Sequence, residues 1–242
     1  MLFLHETHSV VGYHEDAFEA AFRDTWMPTL AADDDARLLW YFNLAHGSSW
    51  SYRVVTVTAV RDGAAWERLA RRVQRGDLQD WMRELDTYRH DVTGKLLVPL
   101  PWSPMADIDL TSVDTDGRAR ESAVYMQDTM WPFVDRFLDY IDASGAVYAK
   151  SLEHRDSGSA PFLQIEAGFQ PAFGSHVRRE VTLMQRVLDP DRLLGLLTSD
   201  IPSEMRAPGT WMHDALQLRD RWESNLLRTA AWSPLPRAGG VG

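Results

Sequence analysis

The chain has 242 residues, 45% of them apolar, with 10 Trp and 9 Phe, which is enough for a substantial core in one large domain or two small ones. Its net charge of −10 argues against nucleic acid or an anionic membrane surface as partner, because both call for a basic patch. The lack of cysteine excludes disulfides, thiolate metal sites and a cysteine nucleophile.

The opening MLFLHETHSV is too short and too polar for a signal peptide, and no apolar run approaches the ~18 residues of a membrane span. A cytoplasmic protein is expected. Leu2 to Thr7 reads as a strand. Glu15 to Trp26 carries Phe18, Ala21, Phe22 and Trp26 at helical spacing, and Pro28 is expected to end that helix. Leu38 to Ala45 and Trp50 to Val60 are β-rich runs joined by His46-Gly47-Ser48-Ser49. Asp62 is a good N-cap for a helix presenting Trp66, Leu69 and Val73. A second helix is expected over Leu78 to Val92, then a strand over Lys95 to Pro101. The second half gives the same order: strand Ala123 to Asp128, helix Trp131 to Ile141, strands Phe162 to Phe169 and Val177 to Val187. Asp189-Pro190 caps a further helix, a helix follows over Trp211 to Trp222, and a strand over Leu226 to Ala231.

The two halves share sequence as well as order. Asp80 to Pro104 aligns without a gap on Thr210 to Pro234, with Trp81/Trp211, Met82/Met212, Arg89/Arg219, Leu96/Leu226, Leu97/Leu227, Trp102/Trp232, Ser103/Ser233 and Pro104/Pro234 identical. A half-size unit has therefore been duplicated and fused. The expected domains are residues 1–104 and 121–236, with a polar linker at 105–120 and a frayed tail at 237–242. Each unit reads β-α-β-β-α-α-β, a ferredoxin-like α+β arrangement in which helices cover one sheet face. Two such units can pair as a pseudo-dimeric α+β barrel.

The chain resembles the dimeric α+β barrel superfamily, and within it the NIPSNAP family. The resemblance rests on Leu4-His5-Glu6-Thr7, Trp26-Met27-Pro28, the Tyr41 strand, the Val54 to Val60 strand leading into Asp62 and Trp66, and the closing Trp102-Ser103-Pro104. It implies a pocket between sheet and helices, in a superfamily of cofactor-free monooxygenases, haem enzymes, isomerases and proteins without assigned activity.

Strand alternation assigns Leu2, Leu4, Val55 and Val57 to the helix side and His5, Thr7, Tyr52 and Thr56 to the other. In the next strand Leu38, Trp40 and Phe42 form one face, and Tyr41 and Asn43 the other. The second half splits into Leu163, Ile165, Val181 and Leu183 against Gln164, Glu166, Arg178, Glu180 and Thr182, with Tyr125 and Gln127 aligned to Phe3 and His5. A polar face of this kind either lines a ligand cavity or pairs its groups in an interface. His5 is the acid/base candidate, because His titrates near neutrality. Tyr41, Asn43 and Tyr52 are placed to stabilise an oxyanion. Thr56, Tyr125, Gln127, Gln164, Glu166, Arg178 and Glu180 are the substrate-binding candidates. His5 and His8 point to opposite faces and cannot share a metal. No cofactor is called for, although His5, His46, His90 and His176 leave haem open. The expected function is binding of a small apolar or aromatic metabolite, with cofactor-independent oxygenation or isomerisation. A non-catalytic interaction module is the alternative, as a monomer or homo-oligomer.

Overall fold

The computed structural model of the protein describes residues 1–153, 161–175 and 178–236. The elements run β1 (Leu2–Val10), α1 (Glu15–Ala20), a π-helical segment (Ala21–Trp26), α2 (Met27–Ala31), β2 (Ala36–Leu44), β3 (Arg53–Val60), α3 (Gly63–Arg75), α4 (Gln79–Thr87) and β4 (Arg89–Pro99). They continue with β5 (Val124–Pro132), α5 (Phe137–Ala143), a second π-helical segment (Ser144–Ala149), α6 (Lys150–Glu153), β6 (Leu163–Pro171), β7 (Val181–Val187), α7 (Pro190–Thr198), α8 (Trp211–Asp214) and β8 (Arg219–Thr229). The fold is α+β and tandem, with both halves in ferredoxin-like order.

The chain forms two compact units. Unit 1 holds Met1–Val98, Asp107–Ala123 and the described residues from Leu226 on, with strand order β4-β1-β3-β2 and the end of β8 beside β2. Its core gathers Phe18, Phe22, Trp26, Leu38, Tyr41, Leu85 and Trp232 between helices and sheet. Unit 2 holds Pro99–Ala106 and the described residues of Val124–Asn225, with order β6-β7-β5 and the start of β8 beside β5. Its core gathers Leu100, Phe137, Tyr140, Ile141, Leu183 and Leu218.

The repeated Trp-Ser-Pro motif falls in the opposite unit from the rest of its half. Ser233 Oγ accepts from Tyr41 N at 3.1 Å in unit 1, and Ser103 Oγ accepts from Gly168 N at 3.0 Å in unit 2. Trp232 Nε1 donates to Glu19 at 2.7 Å, and Trp102 Nε1 to the Ile141 carbonyl at 2.9 Å. Each motif thus supplies a buried acceptor to a backbone N–H that would otherwise go unpaired.

Both caps form: Asp62 accepts from Ala65 N at 2.8 Å, and Asp189 from Arg192 N at 3.0 Å with Pro190 in the first turn. Several boundaries differ from expectation. Pro28 does not end the first helix but opens α2, since a first-turn N–H needs no helical partner and the wide π turns precede it. The helix expected over 78–92 stops at Thr87, because Arg89 onward joins the β1 ladder, with Val92 opposite His8. The same error recurs in the copy, where Trp222 lies in β8 rather than a helix, and Trp131 lies in β5. The segment 105–120 is polar in composition yet sends Leu110 and Val113 into buried positions. The tail at 237–242 lies outside the described residues.

The two units share a β-bulge at the same place, and unit 1 has a further register shift between Ser9 and Val10. In β2 the register shifts between Leu38 and Trp40, and in β6 between Ile165 and Ala167. The extra residues are Leu39 and Glu166. The bulge in β2 also explains why strict alternation misplaced Tyr41, which shares the helix side with Leu38.

Candidate functional site

Ladder partners fix the faces. His5 pairs with Val57, whereas Leu4 pairs with Thr58 and Glu6 with Thr56. Trp26 Nε1, from the helix layer, reaches Thr58 at 3.4 Å. Thr56 therefore faces the helices and Val55 and Val57 face away, the reverse of the aliphatic-side rule. Thr56 and Thr58 are tolerated on the helix side because each has a hydrogen-bond partner there.

The four catalytic candidates are not brought together. His5 is buried on the face away from the helices, opposite Val57 and Lys95. Tyr41 is buried on the helix side against Phe22 and Trp232, with ring centroids at 5.6 and 5.0 Å. Its hydroxyl has no partner among the described residues, and burial, with Glu19 and Glu15 nearby, pushes its pKa well above the usual phenol value. Asn43 is half-buried opposite Val54 and Arg228. Tyr52 is not in a strand; it is exposed in the turn before β3 at φ 58°, where its carbonyl accepts from Val10 N. Its ring lies over Gly12, where a Cβ would meet it at 2.8 Å.

The binding candidates fall into three groups. Thr56 lies in unit 1. Arg178 and Glu180 flank Trp131 at 3.5 and 3.2 Å. Tyr125 and Glu166 form a hydrogen bond of 2.5 Å, with Gln127 on the same face as Tyr125 and Gln164 opposite Arg186.

Two buried polar clusters escaped the sequence reading, one in each helix–sheet layer. In unit 1, Arg89 donates to His8 Nδ1 at 2.9 Å. A guanidinium only donates, so Nδ1 accepts and Nε2–H donates to Thr56 Oγ1 at 3.1 Å. Burial, Arg89 and His5 lower the His8 pKa to about 3, so this imidazole stays neutral. Arg89 also pairs with Asp86, and burial raises the Glu6 pKa against the pull of Arg89. Phe18 and Phe22 pack on His8 at 5.1 and 5.5 Å, and Trp26 stacks on Trp81 at 4.8 Å.

Unit 2 repeats the scaffold with different side chains. Asp128 occupies the strand position of Glu6, Arg219 that of Arg89, Tyr140 that of Phe18, and Met130 that of His8. Tyr148 stacks on Trp211 at 5.8 Å, as Trp26 does on Trp81. Tyr148 Oη donates to Gln185 Oε1, and Gln185 Nε2 donates to Asp128 Oδ2 at 2.7 Å. Ser224 and Trp222 also face the carboxyl. Burial raises the Asp128 pKa, against the pull of these donors and of Arg219. Burial likewise raises Tyr140 to about 12 and drives Tyr148 higher still, so both phenols remain neutral donors. Arg219 hydrogen-bonds Tyr140 and lies over the Trp222 ring at 5.7 Å. Two buried atoms of this cluster have no hydrogen-bond partner among the described residues: Asp128 Oδ1 and Arg219 Nε.

A cleft of about 310 Å³ opens on unit 1 between α1 and α4, lined by Ala17, Ala20, Ala21, Trp81 and Glu84. Its carboxylates Glu84 and Asp24 are already engaged by Tyr88 and Arg23, so the cleft presents little chemistry.

No family model matches the chain, and no curated protein matches it. Solved structures do. A candidate monooxygenase from Lactobacillus acidophilus superposes with TM-score 0.60 at 9% identity, covering 97% of each chain. A candidate monooxygenase from Fusobacterium nucleatum gives 0.58 at 6% identity, over 94% of this chain and 91% of that one. A DypB variant of Rhodococcus jostii in complex with heme gives 0.55 at 7% identity, over 96% and 93%. These likenesses show the fold, the tandem α+β barrel class. A NIPSNAP domain protein from Burkholderia xenovorans aligns over 42% of this chain at 22% identity, with TM-score 0.34.

Haem requires an axial ligand facing open space. Among the described residues, both His8 nitrogens are engaged, His14 packs on Tyr88, His213 pairs with Asp214, and His46 and His90 are exposed. His5 is buried and already in contact with its surroundings. These residues do not fit a haem, and His154 and His176 lie outside the described set. No group of three His, Asp or Glu side chains placed to hold a metal occurs among the described residues. No helix among them is long and apolar enough to cross a membrane.

Proposed function

We propose that the helix–sheet layer of unit 2 binds a small aromatic or apolar carbon acid and transforms it by proton transfer, without a bound cofactor. The observation that carries this reading is the pair of buried, unpartnered atoms Asp128 Oδ1 and Arg219 Nε. Buried polar atoms left unpaired cost about 1–3 kcal/mol each, so an acid and a guanidinium left so in one cluster are placed to bond a guest. Asp128, with its raised pKa, takes the proton. Arg219 stabilises the oxyanion into which the electron pair moves, and the neutral phenol of Tyr140 adds a donor.

One solved neighbour is described as anthrone oxidase-like, with TM-score 0.54 at 7% identity over 95% of this chain. Anthrone suits the proposed chemistry. Its methylene loses a proton to Asp128, and the electron pair passes to the ring carbonyl oxygen beside Arg219. The resulting enolate is electron-rich enough to react with dioxygen. One anthrone and one O₂ give one anthraquinone and one water. In this proposal His5, Tyr41, Asn43 and Tyr52 carry no step, because they occupy two faces and a turn. Kinship of the half-size unit with NIPSNAP proteins stays part of the proposal.

The test is oxygen uptake with anthrone. The wild type is expected to exceed the protein-free rate, and Asp128→Asn and Arg219→Gln to fall about 100-fold below the wild type. Uptake at the protein-free rate in the folded wild type refutes oxygenation of this substrate class. Uptake unchanged in both variants refutes the assignment of residues.

A further inference from the structure

The bulge in β6 carries a second group of polar side chains, on the sheet face away from the helices. Tyr125 Oη donates to Glu166 Oε2 at 2.5 Å, and Arg186 lies opposite Tyr125 in the β5–β7 ladder. Arg186 NH1 stands 3.9 Å from Glu166 Oε1, too far for a direct hydrogen bond. The Glu166 side chain is 13% exposed and that of Arg186 34%, so the gap between them is reachable.

Unit 1 supplies an internal control. Its bulge residue at the same place is Leu39, and the ladder pair corresponding to Tyr125 and Arg186 is Phe3 and Ala59. All three unit 1 residues are apolar and fully buried. The same backbone geometry is therefore satisfied by Phe, Leu and Ala, and nothing in the bulge requires Tyr, Glu and Arg. A buried charge cluster is seldom better for stability than apolar residues of similar shape. Bulges commonly re-aim one side chain beside a site, and here the re-aimed side chain is a carboxylate.

We propose that Tyr125, Glu166 and Arg186 form a second ligand site, separate from Asp128, that takes a carboxamide-like group. The amide carbonyl accepts from Arg186 and its N–H donates to Glu166 Oε1, which closes the 3.9 Å gap. Tyr125 fixes the other carboxylate oxygen and so orients Oε1 toward the guest. The ligand class follows from the arrangement: one donor and one acceptor side by side, with no net charge to balance, since glutamate and arginine offset each other.

Benzamide is the probe, followed by isothermal titration, with thermal melts of each protein. The triple variant Tyr125→Phe/Glu166→Leu/Arg186→Ala copies unit 1. It is expected to melt no lower than the wild type and to bind benzamide at least about tenfold more weakly. Arg186→Ala alone, at the most exposed of the three positions, is expected to weaken benzamide similarly without a change in melting. The Arg219→Gln variant is expected to bind benzamide as the wild type does, which separates this site from the helix–sheet layer. The proposal is overturned if benzamide does not bind the wild type, or if the variants bind it unchanged. It is also overturned if the loss appears in Arg219→Gln, because the amide then occupies the other site.

Discussion

The helix–sheet layers of the two units share a scaffold and differ in what their arginines meet. Arg89 has Asp86 and His8 as partners, and its layer is finished with Phe18 and Phe22. Arg219 has Leu216 and Met130 at the corresponding places, and its layer carries Tyr140, Ser144 and Tyr148. In unit 1 Arg89, Asp86, His8 and Thr56 bond to one another, while Tyr41 Oη and Trp81 Nε1 have no partner among the described residues. In unit 2 the guanidinium keeps a free Nε and the carboxylate a free Oδ1. The arginine of unit 1 is thus bonded to its acid and histidine, whereas that of unit 2 and the neighbouring carboxylate each keep an unpaired atom, which is why Asp128 and Arg219 rather than Glu6 and Arg89 are given the chemistry.

Removing the two arginines is expected to break the comparison most sharply. Arg89→Met leaves Asp86 and His8 without their donor, and unfolding in urea should show a loss of about 3 kcal/mol with anthrone-dependent oxygen uptake per folded molecule unchanged. Arg219→Met has fewer bonds to lose, so its stability should change by no more than about 1 kcal/mol while uptake collapses. The reverse pattern would assign the site to unit 1.

The exchanged motifs offer a symmetric control. Ser103→Ala and Ser233→Ala each leave a buried backbone N–H, of Gly168 and Tyr41 respectively, without an acceptor. Each is expected to cost about 1–2 kcal/mol in chemical denaturation, equally in the two units. A large inequality would show that the two locks are not equivalent.

Asp128→Asn tests whether the unpaired carboxylate of unit 2 is held at a cost in stability. The carboxyl titrates near its ordinary value when unfolded and above it when folded, so folding takes up a proton in that interval. Its stabilising contribution is complete below the unfolded pKa and is lost as pH rises through the folded one. The Asn variant should therefore be more stable than the wild type by about 1 kcal/mol at neutral pH, and no more stable near pH 4. Thermal melts at the two pH values check this. The smallest expected effect is at the caps: Asp62→Ala and Asp189→Ala should each lose about 1 kcal/mol or less, with no change in uptake.

Much of the fold was legible because duplication shows every element twice. The Trp-Ser-Pro repeat, the Asp62 and Asp189 caps and the order of strands all follow from local pattern. The strand faces did not, for two physical reasons. The aliphatic-side rule fails in β3, where Thr56 and Thr58 are satisfied by His8 and Trp26 from outside the strand. Strict alternation fails in β2 and β6, where a bulge adds a residue that no composition announces. The same limits hid the site. Asp128, Tyr140, Tyr148, Gln185 and Arg219 lie on five separate elements, and only Arg219 stood in the repeat. Glu6 and Asp128 align as the acid kept on the first strand, and Arg89 and Arg219 as the arginine that opens the last; joining the two alignments is the signal that finds the cluster. Tyr125 and Glu166 were read as binding residues from alternation and do meet, although through the bulge rather than through regular pleating.

The most direct test of the central claim is the dissociation constant of anthrone measured for the wild type, Asp128→Asn and Glu6→Gln. The account predicts that Asp128→Asn weakens binding about tenfold or more while Glu6→Gln leaves it unchanged. Equal losses in both variants, or a loss confined to Glu6→Gln, would contradict it.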